Sequence, residues 1–371
     1  MDKTGRKLRL PYFELNKPFK EIDISEHDVL EIVGFEFPIS SKGKIEIKEQ
    51  RKLKEPLKIE SMITKLELKH QIVFSPKEKI EANEFFKYTN YYRISIFIRY
   101  LNKDRSFTAL KNIYEFDNFL SENIGNMIPP LEGYIGTSLA YVLTNEYEDI
   151  IKRLDKKGEN LTPALVYLDK RIYRDEFIRN NSIDNTFSYI AKSLFDKQDR
   201  DLTIKHHVSF YDGWVPFWVL VEHITFGDLS TILRYLERNV KKTWIDYSFP
   251  NNNPSTIIEW LNTIRILRNT AAHCSRFYGS NFTYNPKINK EDLDLMYFEK
   301  EDERYRTTFK NTLFAGLIVL RRLYESLREA DKIRWNNFIY EIELRLAKDE
   351  NLSKSRLGFN NQWSETLKIV I

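Results

Sequence analysis

The 371-residue chain has one cysteine, Cys274, which excludes an internal disulfide framework and any multi-cysteine metal site. Such sparing use of cysteine leads one to expect a reducing cytoplasm. No stretch approaches the ~20 uninterrupted apolar residues of a membrane helix. The opening MDKTGRKLRLPYF also lacks the apolar run of a secretory leader. A large charge excess is missing too: 58 basic residues face 54 acidic ones, a formal net charge of +4. That balance announces no nucleic-acid binder in bulk, so any such footprint must come from local clustering. Internal repeats and low-complexity tails are absent. His206 and His207 are adjacent, so they point to different sides, and no acidic residue stands at ligand spacing. No metal is expected there, and no cofactor elsewhere.

What remains is a globular composition, 42% apolar and 30% charged. The length suggests one large domain with an appendage. The 21 Tyr and 25 Phe serve mostly as core, although Tyr-rich surfaces can also stack bases. Residues 1–54 form the appendage. There DVLEIVGFEF (28–37) and GKIEIKEQRKL (43–53) alternate apolar with polar residues around the turn-like PISSKGK, which predicts a β-hairpin. From 55 to 371 the period becomes helical. The pattern predicts helices over 57–74, 78–101, 111–123, 131–154, 164–178 and 185–196. A loop is expected over 197–216, then two helices split at Gly227. A long helix over 254–278 follows, capped by Asn253 with Pro254 at its first position. Further helices at 307–327 and 333–349 complete a mainly α architecture.

The long helix carries the residues of interest. At 100° per residue, Trp260, Ile264, Leu267, Ala271, Cys274 and Tyr278 fall within about 60° of one another and define the core face. Asn269, His273, Arg276 and Arg265 point roughly 140–180° away from it, and Arg268 sits on the flank at about 80°. Asn269 and His273 are one turn apart, so the amide can orient the ring. Arg268 and His273 are separated by roughly 140° around the axis and ~7.5 Å along it, too far for one copy to clamp a single phosphodiester. Two copies about a two-fold axis can surround a groove with four such groups. Imidazole suits proton transfer near neutral pH, and arginine suits charge developing on phosphate. The spacing alone is compatible with a solvated helix end or with a phosphate-handling site. RDLTIKH, from Arg200 to His206, repeats an Arg-polar-x-His pattern on the expected loop.

Several stretches then agree in order. RNTAAHCSRFYGSNF (268–282), NYYRISIFIRY (90–100), YEFDNFL (114–120), VPFWVLVEHITFGDLSTIL (215–233) and LGFNNQW (357–363) resemble the motifs of the Abi-like (AbiD/AbiF) abortive-infection family. That family is a branch of the HEPN superfamily, distantly akin to RNA-guided HEPN effectors. The resemblance covers roughly residues 54–365. It implies a HEPN-like helical bundle with its core at about 130–350, a homodimer through the motif helix, and cleavage or binding of RNA in antiviral defence. Under it Arg268 holds the phosphate, Asn269 positions the site and His273 moves the proton, the Arg-x4-His motif being 268–273. Arg276, Arg265, Arg93, Tyr92, Lys205 and His206 are the candidate RNA contacts. Some relatives work with a small structured RNA.

The chain departs from the family where relatives carry two successive histidines in place of His273-Cys274. It also departs at SENIGNMIPPLEGYIG, where relatives have an Arg- and Glu-rich helix. Three functions stay open: a metal-independent endoribonuclease toxin, an RNA-binding scaffold without nuclease activity, and a protein–protein module. Tyr91, Tyr92 and Arg93 either meet RNA or pack the bundle with Arg93 in an internal ion pair. Trp214 and Trp218 read as packing, and RRLYESLREADKIR (321–334) as a solvated charged face.

Overall fold

The computed structural model describes residues 56–102, 104–250, 252–296 and 308–371 with their side chains. Before them it gives the backbone of five strands: β1 (Lys7–Arg9), β2 (Lys20–Ile24), β3 (Val29–Ile32), β4 (Phe35–Pro38) and β5 (Gly43–Ile47). The hairpin expected between 28–37 and 43–53 is not shown. Instead β3 and β4, both inside the first of those stretches, pair antiparallel, while β5 pairs with β2. The chain divides into two compact units, Met1–Thr64 and Lys65–Ile371.

Among the described residues the chain from Ile59 onward is mainly helical. The helices are α1 (Ile59–His70), α2 (Pro76–Tyr88), α3 (Tyr91–Ser95), α4 (Phe107–Asn145), α5 (Tyr147–Leu154), α6 (Asp175–Arg179) and α7 (Ser182–Lys197). They continue with α8 (Leu202–Phe210), α9 (Phe217–His223), α10 (Phe226–Tyr235), α11 (Arg238–Ser248) and α12 (Pro254–Ala272). The series closes with α13 (Lys290–Leu295), α14 (Leu313–Tyr324), α15 (Glu329–Lys348) and α16 (Trp363–Leu367).

Several boundaries differ from the periodicity for local reasons. The helix expected over 78–101 breaks after Tyr88, where Asn90 caps a new short helix by accepting from Tyr92 N at 2.8 Å. The expected loop over 197–216 contains α8, whose cap Asp201 accepts from the backbone N–H groups of Thr203 and Ile204. Gly227 lies inside α10, and the break before it is made by the Thr225–Asp228 capping box. Most consequential, 111–123 and 131–154 do not form separate helices. One 39-residue helix, α4, runs through Pro129 and Pro130.

That helix is the spine of the unit, with α9, α11, α12 and α15 packed along it. Trp244 of α11 donates its indole N–H to Ser138 Oγ at 3.0 Å, and Tyr134 donates to Ser248 O at 2.8 Å. α14 is buried on nearly every side, which suits its almost uniformly apolar LFAGLIVLRRLY, and it packs on α12. Arg321 and Arg322, expected on a solvated face, turn inward to the buried carboxylate of Asp292, with Arg322 Nε at 2.8 Å. Trp214 and Trp218, expected in the core, are about half exposed.

Candidate functional site

Asn253 starts α12 as expected, its side chain accepting from Ser255 N at 2.9 Å with Pro254 next in the chain. Trp260, Ile264 and Leu267 are fully buried and fix the helix rotationally. The helix does not continue to Tyr278. It ends at Ala272 in a Schellman turn: Ser275 N–H reaches Thr270 O at 2.8 Å and Cys274 N–H reaches Ala271 O at 2.9 Å. Cys274 takes the left-handed position of that turn (φ 47°), where glycine is usual, and is exposed rather than on the core face.

The reason the chain turns lies on α4. Asp117 Oδ1 accepts the N–H groups of Phe277 (2.9 Å) and Tyr278 (2.6 Å), which draws those two rings into the core. Burial raises the Asp117 pKa to about 6, against the opposing effects of those two N–H donors and of Arg276 and Arg93. Tyr278 is therefore buried as expected, but through a carboxylate-pinned loop and not through helical phase.

At this end of α12 the side chains divide. Arg268 is exposed and faces α4, with its Nε 3.8 Å from Glu132 Oε1. Burial raises the pKa of Glu132, partly offset by Arg268. The Asn269 side chain does not orient the imidazole; its Oδ1 accepts from Arg268 Nη1 at 3.4 Å, and its tie to His273 is the backbone bond at 3.0 Å. His273 is exposed at the helix cap. Between α4 and the α12 terminus opens a cavity of roughly 520 Å³, walled by Arg268, Arg93, Glu132, Asp117 and Cys274 among others. His273 is not part of that wall, so one chain directs its arginine and its imidazole to different places.

Arg93, expected in an internal ion pair or on RNA, donates through Nη2 to Cys274 O at 2.8 Å. A helix C-terminus ends in unsatisfied carbonyls and carries negative partial charge that repels phosphate. Arg93 satisfies the Cys274 carbonyl just past that terminus, and together with Arg268 it brings positive charge to the cavity. Tyr92, beside it, is 58% exposed, whereas Tyr91 is buried.

The other sequence-derived candidates lie outside that wall. Arg276 folds back on its own loop, with Nε donating to Ser280 Oγ at 3.1 Å and the guanidinium 5.7 Å from the Tyr100 ring. Arg265 is exposed on α12 and donates to Asn262 Oδ1 at 2.9 Å. Lys205 and His206 sit on α8, His206 against Phe210 with ring centroids 5.1 Å apart.

Sequence reasoning missed Glu132 and gave no role to Asp117, although the motif YEFDNFL contains the latter. In sequence the proline pair reads as a break. Proline has no N–H, so the carbonyls of Gly125 and Asn126 receive no bond from Pro129 and Pro130. Both of those residues line the cavity. The usable signal was a helical period that persists on either side of the prolines.

Compared with known proteins, the chain matches over residues 84–279 the family model described as Abi-like protein. No curated protein and no solved structure matches it. Among the described residues no helix is long and apolar enough to cross a membrane.

Proposed function

Since this chain belongs to the Abi-like protein family, we propose that it is an abortive-infection protein of phage defence and a metal-independent endoribonuclease. In this reading it works as a HEPN homodimer controlled or guided by a small structured RNA. The observation that carries the reading is the exposure of both Arg268 and His273 at the end of a rigidly buried helix, with Arg268 beside Arg93 on one cavity. The ribose 2′-oxygen attacks the adjacent phosphorus, the P–O5′ bond breaks, and a cyclic phosphate and a 5′-hydroxyl result. His273 accepts the 2′-hydroxyl proton and, as the imidazolium so formed, returns it to the leaving oxygen. Arg268 neutralises the charge that grows on phosphate.

Two copies are required because each chain sends Arg268 and His273 to different places. A two-fold axis brings one chain's imidazole to the other's guanidinium. The purified protein is expected to cleave RNA in EDTA and to leave cyclic or 3′-phosphate ends. His273→Ala should slow cleavage by about 10²–10⁴-fold while RNA binding is retained. Undiminished cleavage by that variant removes His273 from the mechanism. The alternative, an RNA-binding scaffold without nuclease activity, draws support from Glu132, because its carboxylate already stands 3.8 Å from Arg268. RNA that co-purifies intact with both wild type and His273→Ala, with no cleavage by either, favours the scaffold.

A further inference from the structure

The opposite end of α12 opens on a second cavity, of roughly 750 Å³. Arg174, Arg234, Arg238, Lys241 and Lys242 converge on its wall, and the one carboxylate among the lining residues is Glu237. That carboxylate is already engaged, accepting from Lys156 Nζ at 2.7 Å. Arg174 and Lys242 have acidic partners, Glu176 and Asp246, which lie outside the wall. Arg234 rests over the Tyr235 ring, and Arg238 is exposed with no ion-pair partner among the described residues. Lys241 is half-buried and donates from Nζ to Arg234 O at 2.8 Å. Burial, then the nearby Arg174 and Arg234, pull its pKa down to about 8, against Glu237 and Glu176.

The backbone adds to this charge. α11 starts on the wall at Arg238, and its N-cap Glu237 makes no side-chain bond to the first turn, so the leading N–H groups receive no side-chain cap. Those donors and the positive end of an 11-residue helix suit an anion. We propose that this cavity binds a compact polyphosphate group, as carried by a nucleoside triphosphate or by inorganic tripolyphosphate. A triphosphate concentrates several charges inside one concavity, whereas an RNA strand presents its phosphates along a line. The cavity lies in the size range of small-molecule pockets, about 300–1,000 Å³. No aromatic side chain lines it, so the phosphates and not a base are what the wall recognises. The inference stands independently of the nuclease reading.

Calorimetric titration of the full chain at low salt with sodium tripolyphosphate, ATP and a 12-nucleotide single-stranded RNA tests it. Tripolyphosphate and ATP are expected to bind within about tenfold of each other, and Arg234→Ala and Arg238→Ala each to weaken both by about tenfold or more. At pH 8 binding should take up protons from the buffer, because a bound anion returns Lys241 to its charged form. Lys242→Glu, at an exposed position, repeats the test without touching packing, and a melting curve checks each variant's fold. Failure of tripolyphosphate to bind folded wild type overturns the proposal. So does affinity for ATP alone, affinity for RNA alone, or binding that all three variants leave unchanged.

Discussion

Asp117 holds two backbone N–H groups in a place that disfavours its charge, and its pH behaviour follows from that conflict. Its folded pKa of about 6 lies above the ~3.9 of an exposed aspartate, so the folded chain binds the extra proton between those values. Stability contributed by this group is therefore fully present below the unfolded pKa of ~3.9, is lost as pH rises through about 6, and stays level once the folded carboxyl has ionised. Denaturant titrations across pH 4–7 should show that decline in wild type and not in Asp117→Asn. Asp117→Ala should cost about 2–4 kcal/mol, because Phe277 and Tyr278 N–H are left buried without acceptors. A flat wild-type profile would place the proton elsewhere. The element YEFDNFL contains this residue, but only the return of a loop 160 positions along the chain gave it partners.

The end of α12 is the decisive event at the level of elements. A 3.6-residue period extends through Tyr278, so the sequence alone reads as helix to that point. A helix that ran on would carry Phe277 and Tyr278 away from Asp117, so tertiary capture outweighs local propensity. The left-handed turn falls on Cys274 and not on a glycine, at a cost of roughly 1–2 kcal/mol. Cys274→Gly should therefore raise stability by about 0.5–1 kcal/mol in chemical denaturation, the strain relief being reduced by glycine's greater backbone entropy. Cys274→Val, branched at Cβ, should lower it. Two changes in the same direction would show that the turn imposes no left-handed strain. In α4 the same priority holds: apolar residues on both sides of Pro129–Pro130 are buried against neighbouring helices, and that packing carries one helix past a local breaker.

At the scale of the molecule the two ends of α12 have opposite character. Arg268 and His273 occupy the C-terminal end, and the N-terminal end opens on the basic cavity. Within one chain Arg268 and His273 do not share a wall, so the nuclease proposal carries an assembly requirement. Sedimentation velocity of the active preparation should give a dimer, and mixing Arg268→Ala with His273→Ala protomers should restore cleavage in heterodimers, where one composite site is intact. A monomer that cleaves RNA would overturn the paired site. Net charge gave no hint of either cavity, because 58 basic and 54 acidic residues nearly cancel over the whole chain. The cations become significant only where folding gathers five of them around one carboxylate.

Local patterning already sets the helical class, the α12 start at Asn253–Pro254, the buried Trp260–Ile264–Leu267 stripe and the outward placement of Arg268 and His273. Those depend on periodicity and capping, which act over a few residues. Long-range packing sets where α12 stops, that α4 runs unbroken through two prolines, that Arg321 and Arg322 turn inward to Asp292, and which cations share a cavity. Each of those outcomes rests on a group brought from far along the chain, whose burial or hydrogen bond outweighs the local preference.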